Sequence, residues 1–209
     1  MLPGVADDLR LAELAREANL AVPDELAASL ESFAALARAW AARTDLVGAR
    51  DHRELGEILF LDAMVLARPG LVEPGARVID VGSGVGAPGL SLALLRPDLD
   101  VTLVEPRRRR VAFLRTAVGS LRLAGRVRIL ERRIDPAAPD VGRFDVALSR
   151  ATFPPSTWLA LGLRLAPVVL VMLAGGEPPA ASACSADTQV DYRVPSSAAS
   201  RRILRYRPG

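Results

Sequence analysis

One stretch of this chain sets a carboxylate directly ahead of a dense glycine turn: Val78-Ile79-Asp80-Val81-Gly82-Ser83-Gly84-Val85-Gly86-Ala87-Pro88-Gly89. Glycines after a strand let the backbone approach a ligand closely and bend sharply into a helix. Many nucleotide sites share such a turn, so the glycines alone do not name the ligand. Asp80 stands inside the strand just before Gly82, a position usually apolar in the dinucleotide fingerprint. Pro88 removes an N–H where a phosphate-binding helix start would supply one. A carboxylate beside Gly82 and Gly84 therefore suits a ligand with a cationic amino-acid end and no phosphate. Glu105 closes the next strand, where an acid accepts hydrogen bonds from both ribose hydroxyls of an adenosine. Nicotinamide and S-adenosylmethionine sites share that contact, so Glu105 indicates adenosine without choosing between them. Asp80 equally suits a loop-stabilising carboxylate bonded to backbone amides.

The elements that must position these residues follow from hydrophobic periodicity. Leu11, Leu14, Ala15 and Ala18 recur at helical spacing, and Pro23-Asp24 opens a second helix with Leu26, Leu30, Phe33, Ala37 and Trp40 on one stripe. A third helix is expected from Asp51 to Leu66, ending before the breakers Pro69-Gly70. Short apolar runs then alternate with helices: strands at Arg77–Val81, Val101–Glu105, Val127–Leu130, Phe144–Leu148 and Val168–Leu173, with helices through Leu90–Leu95 and Arg109–Leu121. This order predicts an α/β fold with a parallel sheet covered on both faces. Gln189–Val194 and Arg202–Tyr206 alternate instead and predict an antiparallel pair at the sheet's end, giving a mostly parallel seven-stranded sheet. Pro154-Pro155 are expected to shape a loop over the target pocket. Residues 1–70 form an N-terminal helical extension on this reading, and 71–209 a Rossmann-like core.

Composition narrows the setting. Half of the 209 residues are hydrophobic, enough for a sizeable core. All 27 basic residues are arginine, set against 24 acids, and arginine's planar fork suits phosphate. Clusters occur at Arg107–Arg110, at Arg126, Arg128, Arg132 and Arg133, and at Arg201, Arg202, Arg205 and Arg207; they suit either solvated edges or RNA phosphates. Cys184 is the single cysteine, which excludes an intrachain disulfide. The opening Met1-Leu2-Pro3-Gly4, with Asp7 and Asp8 after it, lacks signal-peptide character, and the longest apolar run, Leu165–Ala174, is too short to span a bilayer. A soluble, cytoplasmic monomer is expected, without membrane attachment. His52, the only histidine, is expected as a solvated helix end.

The glycine turn with its Gly-x-Pro-Gly ending resembles the bacterial small-subunit ribosomal RNA methyltransferase G family, also called the glucose-inhibited division protein B family. The likeness continues at Arg110-Val111-Ala112-Phe113-Leu114, at Arg133-Ile134-Asp135 and at Phe144-Asp145-Val146-Ala147-Leu148-Ser149-Arg150-Ala151. It reaches back to Leu46, Arg50-Asp51 and Asp62, and covers roughly residues 25 to 176. The resemblance implies a Rossmann-like S-adenosylmethionine-dependent fold. It also implies methylation of guanine N7 in 16S ribosomal RNA, with that RNA or the small ribosomal subunit as partner. It assigns Gly82 and Ala87 to the cofactor's loop, Ile134 and Asp135 to the flanks of its adenine, and Glu105 to the ribose. Arg150 falls to the cofactor or target-base site. The chain differs from the family's usual residues at Asp45, Val47, Ile58, Leu59 and Ala174.

The implied chemistry asks little of the protein. Guanine N7 carries an in-plane lone pair and needs no general base; what matters is in-line geometry. Arg150 could orient the base through guanine O6. Three other readings remain open here. One is a methyltransferase acting on a small molecule or protein, and another a noncatalytic RNA-binding relative. The third is a nicotinamide-dependent oxidoreductase, for which the sequence offers no catalytic proton donor.

Overall fold

The computed structural model describes residues 9–44, 46–137, 139–180 and 184–208. Asp45, Met1–Gly4, Asp7 and Asp8 thus lie outside the described residues. Helices α1 (Leu11–Glu17) and α2 (Asp24–Ala41) come first. Helix α3 (His52–Gly56) runs through a π-helical turn, Glu57–Leu61, into α4 (Asp62–Leu66). The core follows as β1 (Arg77–Val81), α5 (Gly89–Leu95), β2 (Asp100–Val104), α6 (Arg108–Ser120), β3 (Val127–Leu130) and β4 (Val146–Ser149). It closes with α7 (Pro155–Leu165), β5 (Val168–Leu173), β6 (Cys184–Arg193) and β7 (Ser200–Pro208).

The strands form one seven-stranded sheet in the order β3-β2-β1-β4-β5-β7-β6. Strands β1 to β5 pair in parallel, while β7 runs antiparallel to both β5 and β6. The expected mostly parallel sheet with a terminal antiparallel pair is therefore present. The chain order reverses direction across the sheet at β1, between β2 and β4. That is the crevice where open α/β sheets take ligands.

Two expectations need correction. Pro154 ends the non-helical segment after β4, but Pro155 is already the first residue of α7, where proline's fixed φ favours helix and its missing N–H costs nothing. Phe144 and Asp145 precede β4 instead of opening it, because the Phe144 amide bonds Leu165 O and the Asp145 amide bonds Arg77 O.

The helical opening packs onto the sheet's first face in one continuous apolar cluster with the core. Phe33 of α2 stacks on Phe113 of α6 with ring centroids 6.2 Å apart, and Trp40 meets the same ring edge-on at 5.6 Å. Phe33 and Phe113 are fully buried, so truncating either to alanine would cost about 3–5 kcal/mol. On the opposite face α7 covers β4 and β5, and the buried Trp158 donates to Leu170 O at 2.9 Å. Trp40 and Trp158 thus serve packing. Among the described residues no helix is long and apolar enough to cross a membrane.

Candidate active site

The carboxyl ends of β2, β1 and β4 lie side by side and carry Glu105, Asp80 and Arg150 respectively. Asp80 is buried, and its Oδ2 accepts from the Gly89 amide at 2.9 Å. That bond ties the strand to the start of α5. It also requires glycine at position 89, since a Cβ there would come 2.5 Å from the same oxygen. The other oxygen, Oδ1, is buried with no hydrogen-bond partner. Loss of water pushes the Asp80 carboxyl up to about 7, against the Gly89 amide and the Arg150 charge, which favour the anion. The strand end thus holds one satisfied and one vacant acceptor.

The turn that follows keeps its glycines for steric reasons. Gly82 has φ +80, and a Cβ there would lie 2.2 Å from Thr152 Oγ1. Thr152, in the exposed segment after β4, therefore leans on the turn. The Gly82 and Ser83 amides both donate to Val104 O, pinning the turn against β2. Ala87 is buried beneath it.

Glu105 is not a solvated strand end. It is buried just beyond β2, with Oε2 accepting from the Gly84 amide at 3.0 Å and Oε1 from the Arg107 amide at 2.9 Å. Each carboxylate oxygen has two acceptor sites, so both retain capacity for a ligand hydroxyl. Ile134 is buried against the second face. Asp135 is exposed, and its Oδ1 accepts from the Ala137 amide at 2.8 Å, a local turn of the aspartate type.

Arg150 leaves β4 immediately after Ser149, whose hydroxyl donates to Val81 O at 2.7 Å and locks β4 to β1. The next residue, Ala151, is left-handed at φ 54, a conformation costing roughly 1–2 kcal/mol outside glycine. Arg150 Nη1 donates to Ile58 O at 2.8 Å and to Asp62 Oδ2 at 2.9 Å. The π-helical turn frees that Ile58 carbonyl from the regular ladder. Asp62 is buried, and its Oδ1 accepts from Tyr192 Oη at 2.8 Å. Burial and the neighbouring Asp62 carboxylate both push the Tyr192 phenol upward, so it remains a donor. The rest of the Arg150 guanidinium makes no hydrogen bond among the described residues. It borders a pocket of about 220 Å³ lined also by Ser149, Phe153, Trp158, Met172 and Arg201.

Tyr192 carries no local signal, because it reaches Asp62 across 130 residues of chain. Thr152 was equally silent. His52 stands at the start of α3 as expected, half-buried with its ring against Arg38.

The arrangement can hold a nucleoside by its hydroxyls at Glu105, set a cationic group near Asp80, and orient a second planar molecule at Arg150. A family model described as rRNA small subunit methyltransferase G matches residues 26–190. A protein of that name, ribosomal RNA small subunit methyltransferase G, from Anaeromyxobacter sp. (strain Fw109-5) is 33% identical over 198 residues, covering 90% of this chain and 91% of the relative. Its namesake from Moorella thermoacetica is 35% identical over 150 residues, covering 68% of this chain but only 60% of its own length. The match thus spans less than two thirds of the Moorella protein. Among solved structures, a SAM-dependent methyltransferase from Thiobacillus denitrificans in complex with S-adenosyl-L-homocysteine superposes with TM-score 0.54 at 12% identity, covering 70% of this chain and 90% of that one. That likeness concerns the fold.

Proposed function

Because the chain belongs to the small-subunit ribosomal RNA methyltransferase G family, we propose that it transfers a methyl group from S-adenosylmethionine to N7 of a guanine in 16S ribosomal RNA. The observation carrying this reading is the row of Glu105, Asp80 and Arg150 on three adjacent strand ends around one glycine turn. The cofactor supplies the reaction with an electrophilic methyl on a sulfonium. The residues present fit it. Glu105 has spare acceptor sites for two ribose hydroxyls, Asp80 Oδ1 lacks a donor, and the amides of Gly82, Ser83, Gly84, Gly86 and Gly89 are already spent on acceptors within the chain, which does not favour a pyrophosphate. Ile134 and Asp135 would flank the adenine, and Gly82, Gly84 and Ala87 would line the methionine end.

Arg150 would donate from its unused N–H groups to guanine O6, leaving N7 facing the methyl donor. With Nη1 fixed by Ile58 O and Asp62, the fork is already oriented before substrate arrives. Holding reactants in line can lower the barrier by roughly 7–11 kcal/mol, and an unprotonated N7 needs no base.

The test is incubation of the protein with methyl-labelled S-adenosylmethionine and small ribosomal subunits lacking this modification. Cleavage of the labelled RNA by borohydride and aniline then locates N7-methylguanine. Label at one guanine, cleavable in this way, is expected. Label in protein or small molecules alone would refute the RNA assignment, and RNA binding without cofactor binding would refute the enzymatic one.

A further inference from the structure

The far end of the sheet holds a second feature that the reaction does not use. Among the described residues no helix lies between β3 and β4, and α7 packs on β4 and β5 on that face. Arg77 and Asp100 at the starts of β1 and β2, and Arg128 of β3, stay exposed and border a cleft of about 550 Å³. Its floor is Thr102, paired in register with Arg128. Its walls carry Arg126, Arg143 and Arg77.

Charge in the cleft is one-sided. Arg77 is neutralised by Asp145, at 3.2 Å, and Asp100 is the one acid among the described lining residues. Arg128 and Arg143 are exposed and form no ion pair among the described residues. Arg126 is half-buried, its Nη1 is buried without a hydrogen-bond partner, and burial disfavours its charge. A guanidinium with a buried, unpartnered N–H, its charge disfavoured by burial against the pull of the nearby Asp100 and Asp98 charges, and sharing its concavity with two further unpaired guanidiniums, is complementary to a tetrahedral oxyanion.

We propose that this cleft is a phosphate-binding site, in which Arg126, Arg128 and Arg143 hold one or two phosphate groups of an RNA backbone or of a free nucleotide. It lies at the strand ends opposite the glycine turn, so it is separate from the candidate active site. Thr102 adds a hydroxyl donor on the floor.

Fluorescence anisotropy with a labelled twelve-nucleotide RNA, and calorimetry with guanosine monophosphate and pyrophosphate, test this on the full chain. The variant Arg128→Glu/Arg143→Glu changes exposed side chains only, and Arg128→Gln/Arg143→Gln checks that loss follows charge. For an RNA backbone, the Glu pair should weaken oligonucleotide binding at least tenfold. It should also reduce the salt slope by about two, with a smaller loss for the Gln pair. For a free nucleotide, guanosine monophosphate or pyrophosphate should bind with one-to-one stoichiometry that the Glu pair abolishes. Unchanged affinity for all three probes in the Glu variant, or no binding of any probe, would overturn the site. S-adenosylmethionine affinity in the same variants should stay within twofold, which separates this outcome from a failure of the methyltransferase reading.

Discussion

The guanidinium of Arg150 and the carboxylate of Asp62 meet 2.9 Å apart, joining the end of β4 to the first residue of α4 across 88 residues of chain. Tyr192, from the terminal hairpin, holds the other carboxylate oxygen. Three separate parts of the chain thus set the direction of one arginine. Asp62→Ala would strand both partners and should lower unfolding stability by about 3 kcal/mol, read by urea denaturation. Tyr192→Phe leaves one buried carboxylate oxygen short of a donor and should cost about 1 kcal/mol. Its turnover should fall while cofactor affinity holds, a split that simple destabilisation would not produce.

Arg150→Lys keeps the charge but loses the planar fork. Turnover on small subunits should drop at least tenfold, with S-adenosylmethionine affinity within threefold by calorimetry. Full turnover would remove Arg150 from the site.

Asp80 should make cofactor binding pH-dependent. Burial raises its carboxyl from 3.8 to about 7, so the folded chain holds this proton more tightly than the unfolded one. Its contribution to stability is full below about pH 4 and is lost as the pH rises to about 7, on the order of 4 kcal/mol in all. A cationic ligand at Asp80 needs the carboxylate, so affinity should climb from pH 5.5 to 7.5 with release of a proton. Asp80→Asn should flatten both profiles. Calorimetry in buffers of different ionisation enthalpy measures the proton, and a pH-independent affinity would place the cation elsewhere.

Glu105→Gln replaces one acceptor by an amide NH₂ that must face the Gly84 or Arg107 amide, both donors. Cofactor affinity should fall at least tenfold, and hydrogen exchange at the Gly84 amide should speed up.

Gly82→Val forces a side chain onto φ +80 and into Thr152. Cofactor binding should vanish and stability should drop by about 2 kcal/mol. Adding Thr152→Ala should restore part of the stability and none of the affinity.

The strands were legible because their short apolar runs stand between breakers: Arg77–Val81, Val127–Leu130 and Val168–Leu173 have their expected bounds, and Val168–Leu173 is an unbroken apolar run. The glycine turn was legible because close backbone approach leaves a compositional mark. Helix α7 was not, since the prolines that begin it also mark loops, and only the packing of Trp158 decides between the two. Glu105 could be placed at a strand end from its position, but its burial depends on the amides of Gly84 and Arg107, a tertiary arrangement. The π-helical turn and Tyr192 left no periodic trace.

What Arg150 reaches at position 58 is a main-chain oxygen, exposed by the local widening of the helix. A contact of that kind is indifferent to the side chain that carries it. The side chain at position 58 can therefore be exchanged without loosening the arginine's anchor. The constraint falls on the helical irregularity itself: an insertion or deletion that restored regular winding would withdraw the carbonyl, whichever amino acid occupied the site.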